Sequence, residues 1–251
     1  MKETSLPEDS ISLVGSRDRA AVDYLLSLSG YINLVIPRGG ESLIRAVVEK
    51  SRVPVIKHYK GVCHTYIDQA ADLKMAWLVT LNAKAQRPAT CNATETLLVH
   101  RDIAPDFLPE MARLFQKKGV EMRGCPETRK IVPRALPAKK SDWGNEFLDL
   151  VIAVKVVGSP EEAILWVNTY GTGHSEAIIT KDDGVAGRFL KEVDAAVVYH
   201  NASTRFTDGF EFGLGAEIGI STDKIHARGP MGLKELTSYK YLIYGEGQVR
   251  T

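Results

Sequence analysis

The stretch ISLVGSRDRAAVDYLLSLSGYINLVIPRGGESLIRAVVEKSRVPVI, residues 11–56, alternates short apolar runs with amphipathic segments. This periodicity predicts three strands and two helices, the strands at Ile11–Val14, Ile32–Pro37 and Val53–Ile56 and the helices at Asp18–Leu28 and Glu41–Lys50. A strand–helix–strand order is typical of a parallel sheet covered by crossover helices. The stretch therefore predicts an α/β fold, of which it holds about two and a half units.

The same alternation continues along the chain. It predicts further helices at 70–84, 104–118, 160–170 and 182–192, and further strands at 95–99, 147–157, 175–180, 195–200 and 239–244. Lys130–Trp143, which contains Pro133 and Pro137, is expected to be a surface excursion. We find no internal repeat and no low-complexity tract.

Composition narrows the class of protein. The 251 residues carry 32 basic and 31 acidic side chains, a formal charge of +1, which argues against a nucleic-acid binder. The apolar runs are too short to cross a bilayer, and the first ten residues do not read as a signal peptide. Cys63, Cys91 and Cys125 cannot all pair and lack metal-site spacing, which favours reduced thiols. We expect a cytoplasmic protein.

The loop NAKAQRPATCN, residues 82–92, is the first candidate for chemistry. Cys91 follows a proline break between a helix and a strand, and loops held by rigid elements often carry reactive groups. Arg87 would favour the thiolate, the nucleophilic form of the side chain. A small buried hydrophobic role is the alternative for Cys91, and we favour that role for Cys63 and Cys125.

Other motifs have two interpretations each. Arg38-Gly39-Gly40, between a strand and a helix, suits either an anion cradle or a tight turn. The run from Asn201 to Asp208 suits a carboxylate pocket with Arg205 as its clamp, or a capped and solvated loop. His174-Ser175-Glu176 is interpreted as a turn with an incidental histidine, because triads assemble in space rather than in sequence.

Six longer stretches match the motifs of one protein family in the same order: LVIPRGGESLIRAV (34–47), VPVIKHYKGVCHTYID (53–68), NAKAQRPATCNATETLLV (82–99), VGSPEEAILWVNTYGTGHSEAII (157–179), NASTRFTDGFEFGLGAEIGIST (201–222) and HARGPMGLKEL (226–236). Together they resemble the γ-glutamyl phosphate reductase family, a branch of the aldehyde dehydrogenase superfamily. The resemblance runs from about residue 6 to the C-terminus. It implies an aldehyde dehydrogenase-like α/β fold with a partial Rossmann-type nucleotide-binding domain and an α/β catalytic domain.

The resemblance also implies an activity: NADPH-dependent reduction of L-glutamate 5-phosphate to L-glutamate 5-semialdehyde, with release of phosphate, in proline biosynthesis. It assigns the nucleophile to Cys91, which would carry a thioester. Aldehyde dehydrogenases place a Glu in the segment matching 53–61, which here is VPVIKHYKG and has no carboxylate. That difference favours reduction over hydrolysis.

Site residues and partners follow from the same resemblance. It implies cofactor contacts at Arg38, Gly39, Gly40 and Glu146, and substrate contacts at Asn92, Asn201, Ser203, Thr204, Arg205, His226 and Arg228, with no metal. It further implies a small-molecule substrate, a homo-oligomer and association with glutamate 5-kinase, and neither nucleic acid nor membrane as a partner.

Three segments are expected: residues 1–60 from the end of a nucleotide-binding domain, 61–203 as the catalytic domain, and 204–251 returning toward the nucleotide domain or an oligomer interface. Family members have a long portion before the point where this chain begins, so we expect an N-terminally truncated chain. The alternatives to an active reductase are a non-catalytic remnant and one half of a split enzyme that lacks a complete NADPH site. A different superfamily reductase is the third alternative, against which the motifs around Cys91 argue.

Overall fold

The structure is a computed structural model that describes residues 6–251 and divides into two units, Met1–Ile56 and Lys57–Thr251. Residues 1–5, the start of the predicted 1–60 segment, lie outside the described residues. The division of the chain at residues 60 and 203 stays a prediction. Among residues 6–251, we find no helix that combines the length and the apolar character needed to span a membrane.

The first unit contains both predicted helices, α1 (Arg19–Ser27) and α2 (Glu41–Lys50), after a 3-10 turn at Glu8–Ser10. Its three predicted strands are wrong as strands. Ile11–Val14 forms none, and the other two runs meet in one parallel bridge between Val35 and Val55. Pro54 offers no N–H to extend that ladder, and a strand needs a lateral partner to exist as one.

A seven-stranded sheet organises the second unit, in the order β4-β3-β5-β2-β1-β6-β7. Every pairing in it is parallel, as the α/β prediction requires. The strands are β1 (Cys63–Ile67), β2 (Thr94–His100), β3 (Glu121–Gly124), β4 (Leu136–Pro137), β5 (Val151–Val157), β6 (Ser175–Ile179) and β7 (Val197–His200). Each of β1, β2 and β6 is buried along its whole length.

Helices cover both faces of the sheet and confirm the four predicted ones. They are α3 (Leu73–Ala85), α4 (Ala104–Lys117), α5 (Pro126–Ile131), α6 (Pro160–Tyr170) and α7 (Asp183–Glu192), with 3-10 turns at Lys140–Gly144, Thr204–Phe206 and Lys234–Leu236. Side chains of α3 and α4 build one apolar core around Phe107 and Phe115. Side chains of α6 and α7 build the other, around Val167 and Phe189.

Two predictions in this unit need correction, and one further pair of strands was not predicted. Lys130–Trp143 is not only a surface excursion, because it includes the end of α5 and the edge strand β4. Tyr239–Tyr244 is no strand. Its side chains are exposed, and its backbone pairs with no strand in the described part of the chain. An unpredicted antiparallel pair, β8 (Gly219–Ser221) with β9 (Gly229–Met231), lies between Thr207 and this segment.

Candidate active site

Cys91 lies at the amino ends of the central strands. Helix α3 ends at Ala85, Pro88 breaks the chain, and a turn closed by the Ala93 N–H on the Thr90 carbonyl (3.0 Å) leads into β2. A proline cannot continue the helix, so the chain reverses there and presents the thiol at the sheet edge. Cys91 is half-buried, between the solvent and the buried strand that follows it.

Gly61, just before β1, is packed against the backbone of Cys91. A Cβ atom added to Gly61 would lie 1.8 Å from the Cys91 carbonyl oxygen, closer than any real contact. The Cys63 thiol donates to the same oxygen at 3.2 Å. Burial raises the pKa of the Cys63 thiol well above its ordinary value, and Glu176 and Cys91 raise it further. Cys63 is therefore an unreactive thiol that supports the loop, as the sequence indicated.

Two imidazoles approach Cys91 from other segments. The ligand atoms of His58, Cys91 and His174 all lie within 4.8 Å of one another, and the two rings meet edge to face with centroids 5.6 Å apart. His58 donates from Nδ1 to the Ile220 carbonyl at 2.8 Å, so in the neutral ring the lone pair is on Nε2. Burial, and then His58, lower the pKa of His174 to about 3, which keeps this ring neutral.

The sequence motif around His174 folds differently from a triad. Its Nδ1 lies 2.8 Å from the Ser175 hydroxyl, which in turn lies 2.6 Å from the Thr207 hydroxyl. Glu176 instead accepts from the backbone N–H of His64 and lies 3.0 Å from Nδ1 of that ring. Sequence reasoning missed His58 altogether, which lies in the segment 53–61.

Asn92 and Arg205 meet next to Cys91. The Arg205 guanidinium donates to Asn92 Oδ1, and its Nε donates to Gln86 Oε1 at 2.8 Å. Burial lowers the pKa of Arg205, Arg87 lowers it further, and Cys91 and Asp208 raise it. A cavity of about 240 Å³ lies beside this group, lined by Asn82, Gln86, Arg205, Phe206, Asp208 and Glu211. The site therefore offers a fixed positive charge close to the thiol.

Ser203 and Thr204 are buried beneath that group rather than directed at the cavity. Ser203 accepts from the Arg205 N–H at 3.3 Å, which starts the 3-10 turn carrying the guanidinium. The Thr204 hydroxyl lies 3.3 Å from that of Thr94 at the start of β2. Asn92 Nδ2 donates to the Thr207 carbonyl at 2.9 Å and so ties the two loops together.

Three residues that are predicted to contact the substrate bond to other groups of the protein. Asn201 follows the carboxyl end of β7, at a φ of 58°, and its amide bonds both backbone groups of Thr180. His226 is exposed and lies 3.0 Å from the Glu235 carbonyl. Arg228 forms an ion pair with Asp194 at 2.7 Å. The structure does not bring Asn201 to the strand ends that hold Cys91, because β7 is parallel to its neighbours.

The predicted cofactor residues fall in both units. Arg38, Gly39 and Gly40 lie in the first, ahead of α2, whose first turn has no side-chain cap. Uncapped N–H groups at a helix start suit an anionic phosphate. Glu146 lies in the second unit and accepts from the Gly61 N–H at 2.8 Å. It therefore anchors the glycine that contacts the Cys91 backbone.

A fully buried ion pair joins the helix and the strand that flank the loop of Cys91. Lys84 Nζ lies 2.5 Å from Glu95 Oε2, and both side chains are inaccessible to solvent. Burial lowers the pKa of Lys84 and raises that of Glu95 to about 7, against the opposing pull of the pair itself. The pair joins the last turn of α3 to β2, so it fixes both ends of the segment that carries Cys91.

The chain that carries this site is similar to known proteins. The aldehyde dehydrogenase family model matches residues 137–241. The chain is 57% identical over its whole length to a γ-glutamyl phosphate reductase of Carboxydothermus hydrogenoformans and 54% identical to that of Thermodesulfovibrio yellowstonii, covering 60% of each.

Solved structures show the same similarity. The γ-glutamyl phosphate reductase of Thermotoga maritima matches the whole chain with a TM-score of 0.96 and 53% identity, over 60% of its own length. An acetylating aldehyde dehydrogenase of Geobacillus thermoglucosidasius shares the fold alone, at a TM-score of 0.73 and 17% identity. The chain thus spans about 60% of the length of these curated relatives. It has the aldehyde dehydrogenase fold and is a homologue of the γ-glutamyl phosphate reductases.

Proposed function

We propose that this chain carries the catalytic thiol of a γ-glutamyl phosphate reductase, an oxidoreductase of proline biosynthesis. The observation that carries the proposal is the position of Cys91, half-buried beside a guanidinium and held by backbone contacts on its far side. The name shared by relatives more than 50% identical supplies the substrate class, L-glutamate 5-phosphate. A positive charge next to a thiol stabilises the thiolate, the form that attacks an acyl group.

The first step needs only this chain and the substrate. The Cys91 thiolate attacks the acyl carbon, a C–S bond forms, and the bond from carbon to the phosphate oxygen breaks to release phosphate. Arg205, which Asn92 and Gln86 hold in place, lies where it can balance the negative charge of the departing phosphate or of the substrate carboxylate. We therefore narrow the proposed substrate contacts to Asn92 and Arg205. Ser203 and Thr204 position them from below.

The thioester then awaits a hydride, which NADPH supplies when it is bound. In the first unit, the start of α2 with Arg38, Gly39 and Gly40 has the chemistry to bind the cofactor phosphates. In the second unit, Glu146 stays a predicted contact of the cofactor ribose. When the C–S bond breaks, the aldehyde leaves and Cys91 regains its thiolate. The segment 53–61 has no carboxylate to activate water, which limits loss of the thioester to hydrolysis. Homo-oligomerisation, association with glutamate 5-kinase and a cytoplasmic location stay predictions.

The test is the reverse reaction: phosphate-dependent reduction of NADP by the purified chain with glutamate 5-semialdehyde. We expect turnover in the wild type, none in Cys91→Ala, and a rate lower by about 10²-fold in Arg205→Lys, because lysine cannot reproduce a planar, two-point contact. Cys125→Ala is the matched thiol control and should keep the wild-type rate, since Cys125 is buried at the start of α5. Turnover that survives Cys91→Ala would refute the mechanism. Folded wild-type protein without turnover would show that this portion alone is not the enzyme.

A further inference from the structure

We propose that Cys91, His58 and His174 together bind a thiophilic divalent cation, Zn²⁺ above all, and that the bound cation blocks the thiol. The binding site stands on geometry alone, whereas its inhibitory consequence rests on the proposed function. The sequence predicted no metal site, since the three residues are separated by 33 and 83 positions and share no ligand spacing.

The distances suit a tetrahedral site after small rotations. Bonds of about 2.0 Å to nitrogen and about 2.3 Å to sulfur place tetrahedral ligand atoms about 3.3–3.6 Å apart. The three candidate atoms lie within 4.8 Å of one another, so turns of the half-buried His58 and Cys91 side chains close the gap. Cys91 is half-buried, so solvent can supply a water to the fourth position.

Both imidazoles have a nitrogen ready to bind. His58 is held by its Nδ1–H on the Ile220 carbonyl, which orients Nε2 as a ligand in the way that outer carbonyls orient metal-bound histidines. His174 is wholly buried, and its Nε2 has no hydrogen-bond partner anywhere in residues 6–251. A buried ring nitrogen without a partner is rare, and a bound cation would satisfy it. We assign the His174 proton to Nδ1, beside the Ser175 hydroxyl.

The chemistry of the donor set selects the ion. One thiolate with two neutral imidazoles suits Zn²⁺ better than Mg²⁺ or Ca²⁺, which prefer oxygen. A histidine binds a metal ion through its neutral ring, so in this donor set only the thiol has a proton to lose. On binding, one Zn–S and two Zn–N bonds replace bonds from the cation to water, the thiol proton passes to solvent, and no atom changes oxidation state.

The experiment uses the full chain and two metal probes without substrate. Co²⁺ is added first, because a cobalt–thiolate bond gives a charge-transfer absorption in the near ultraviolet; Zn²⁺ binding is then measured by displacement of Co²⁺. We expect one equivalent per chain, loss of the thiolate band in Cys91→Ala, and affinity at least about tenfold weaker in His58→Gln. Cys125→Ala and His226→Gln, a thiol and an imidazole outside the cluster, should bind as the wild type does.

A second readout follows the thiol itself. Zn²⁺ should protect Cys91 from iodoacetamide, EDTA should restore alkylation, and His58→Gln should need at least about tenfold more Zn²⁺ for the same protection. His174→Gln is informative only if its circular dichroism matches the wild type, which is why His58→Gln carries the test. Cobalt binding without the thiolate band, or equal affinity in Cys91→Ala, would overturn the site. Failure of turnover with intact metal binding would count against the proposed function alone.

Discussion

Replacing Gly61 with alanine tests whether the backbone contact beneath Cys91 is as close as the structure describes. The new Cβ would lie 1.8 Å from the Cys91 carbonyl oxygen, 2.5 Å from its carbonyl carbon and 2.7 Å from its Cα, whereas ordinary contact begins at 3.4 Å. One of the two segments must therefore move by about 1.6 Å. Neither is free to do so, because Gly61 leads into β1 and Cys91 leads into β2, both wholly buried strands.

The expected cost follows from that displacement. Overpacking a rigid interior typically costs about 1–3 kcal/mol. For a unit of this size each kcal/mol lowers Tm by about 2–4 °C, so we expect a loss of about 2–12 °C. A shift of 1 Å at a reacting group costs about 10² in rate, so turnover should fall at least that far.

Differential scanning fluorimetry and the alkylation rate of Cys91 by iodoacetamide are the assays. The matched control is Gly144→Ala: a Cβ there meets nothing within 4 Å, so Tm should stay within about 1 °C of the wild type. If Gly61→Ala melted and alkylated like the wild type, the close approach of the two segments would be wrong.

Two further predictions concern buried charge near the site. Lys84→Met should lower the free energy of unfolding by about 3–5 kcal/mol in urea titrations, because it leaves the buried Glu95 carboxylate without its partner. The loss relative to the wild type should grow as pH rises through neutrality and Glu95 ionises. Lys84→Met with Glu95→Leu should recover most of the loss; no recovery would mean that the pair is not what the single variant disturbs. Since the unfolded chain protonates His174 near pH 6.5 and the folded chain only near 3, acidification through that window should remove about 1.4 kcal/mol of stability per pH unit through this residue. His174→Gln should therefore show a shallower acid loss in urea midpoints measured across the window, and a slope equal to the wild type would show that the ring is not held neutral.

The sequence predicted the elements whose local pattern decides them. Helices α2 and α6 begin and end where the amphipathic spacing placed them. The central strand β1 was missed because CHTYI carries polar side chains that look exposed. In the fold, His64 pairs with Glu176 and Thr65 with Thr94, and both of these partners come from distant strands.

The candidate site likewise combines residues that the sequence singles out with residues that it does not. Cys91 and Arg205 could be singled out from composition and resemblance, but their neighbours could not. Asn201 and Arg205 are four positions apart in one motif, yet the turn at Asn201 leaves it at the carboxyl end of the sheet while Arg205 reaches the loop of Cys91. Which polar loop reaches which sheet edge depends on strand order, and local sequence does not encode that order.

The bond from Asn92 to the Thr207 carbonyl and the one from His58 to the Ile220 carbonyl span 115 and 162 positions. On a ribosome that adds about 5–20 residues per second, Thr207 is made about 6–23 s after Cys91. For nearly all of that interval Cys91 has no Arg205 beside it, and the Ile220 carbonyl that holds His58 has not been made. The contacts that hold Asn92 and His58 around Cys91 can therefore be completed only after synthesis has passed Ile220.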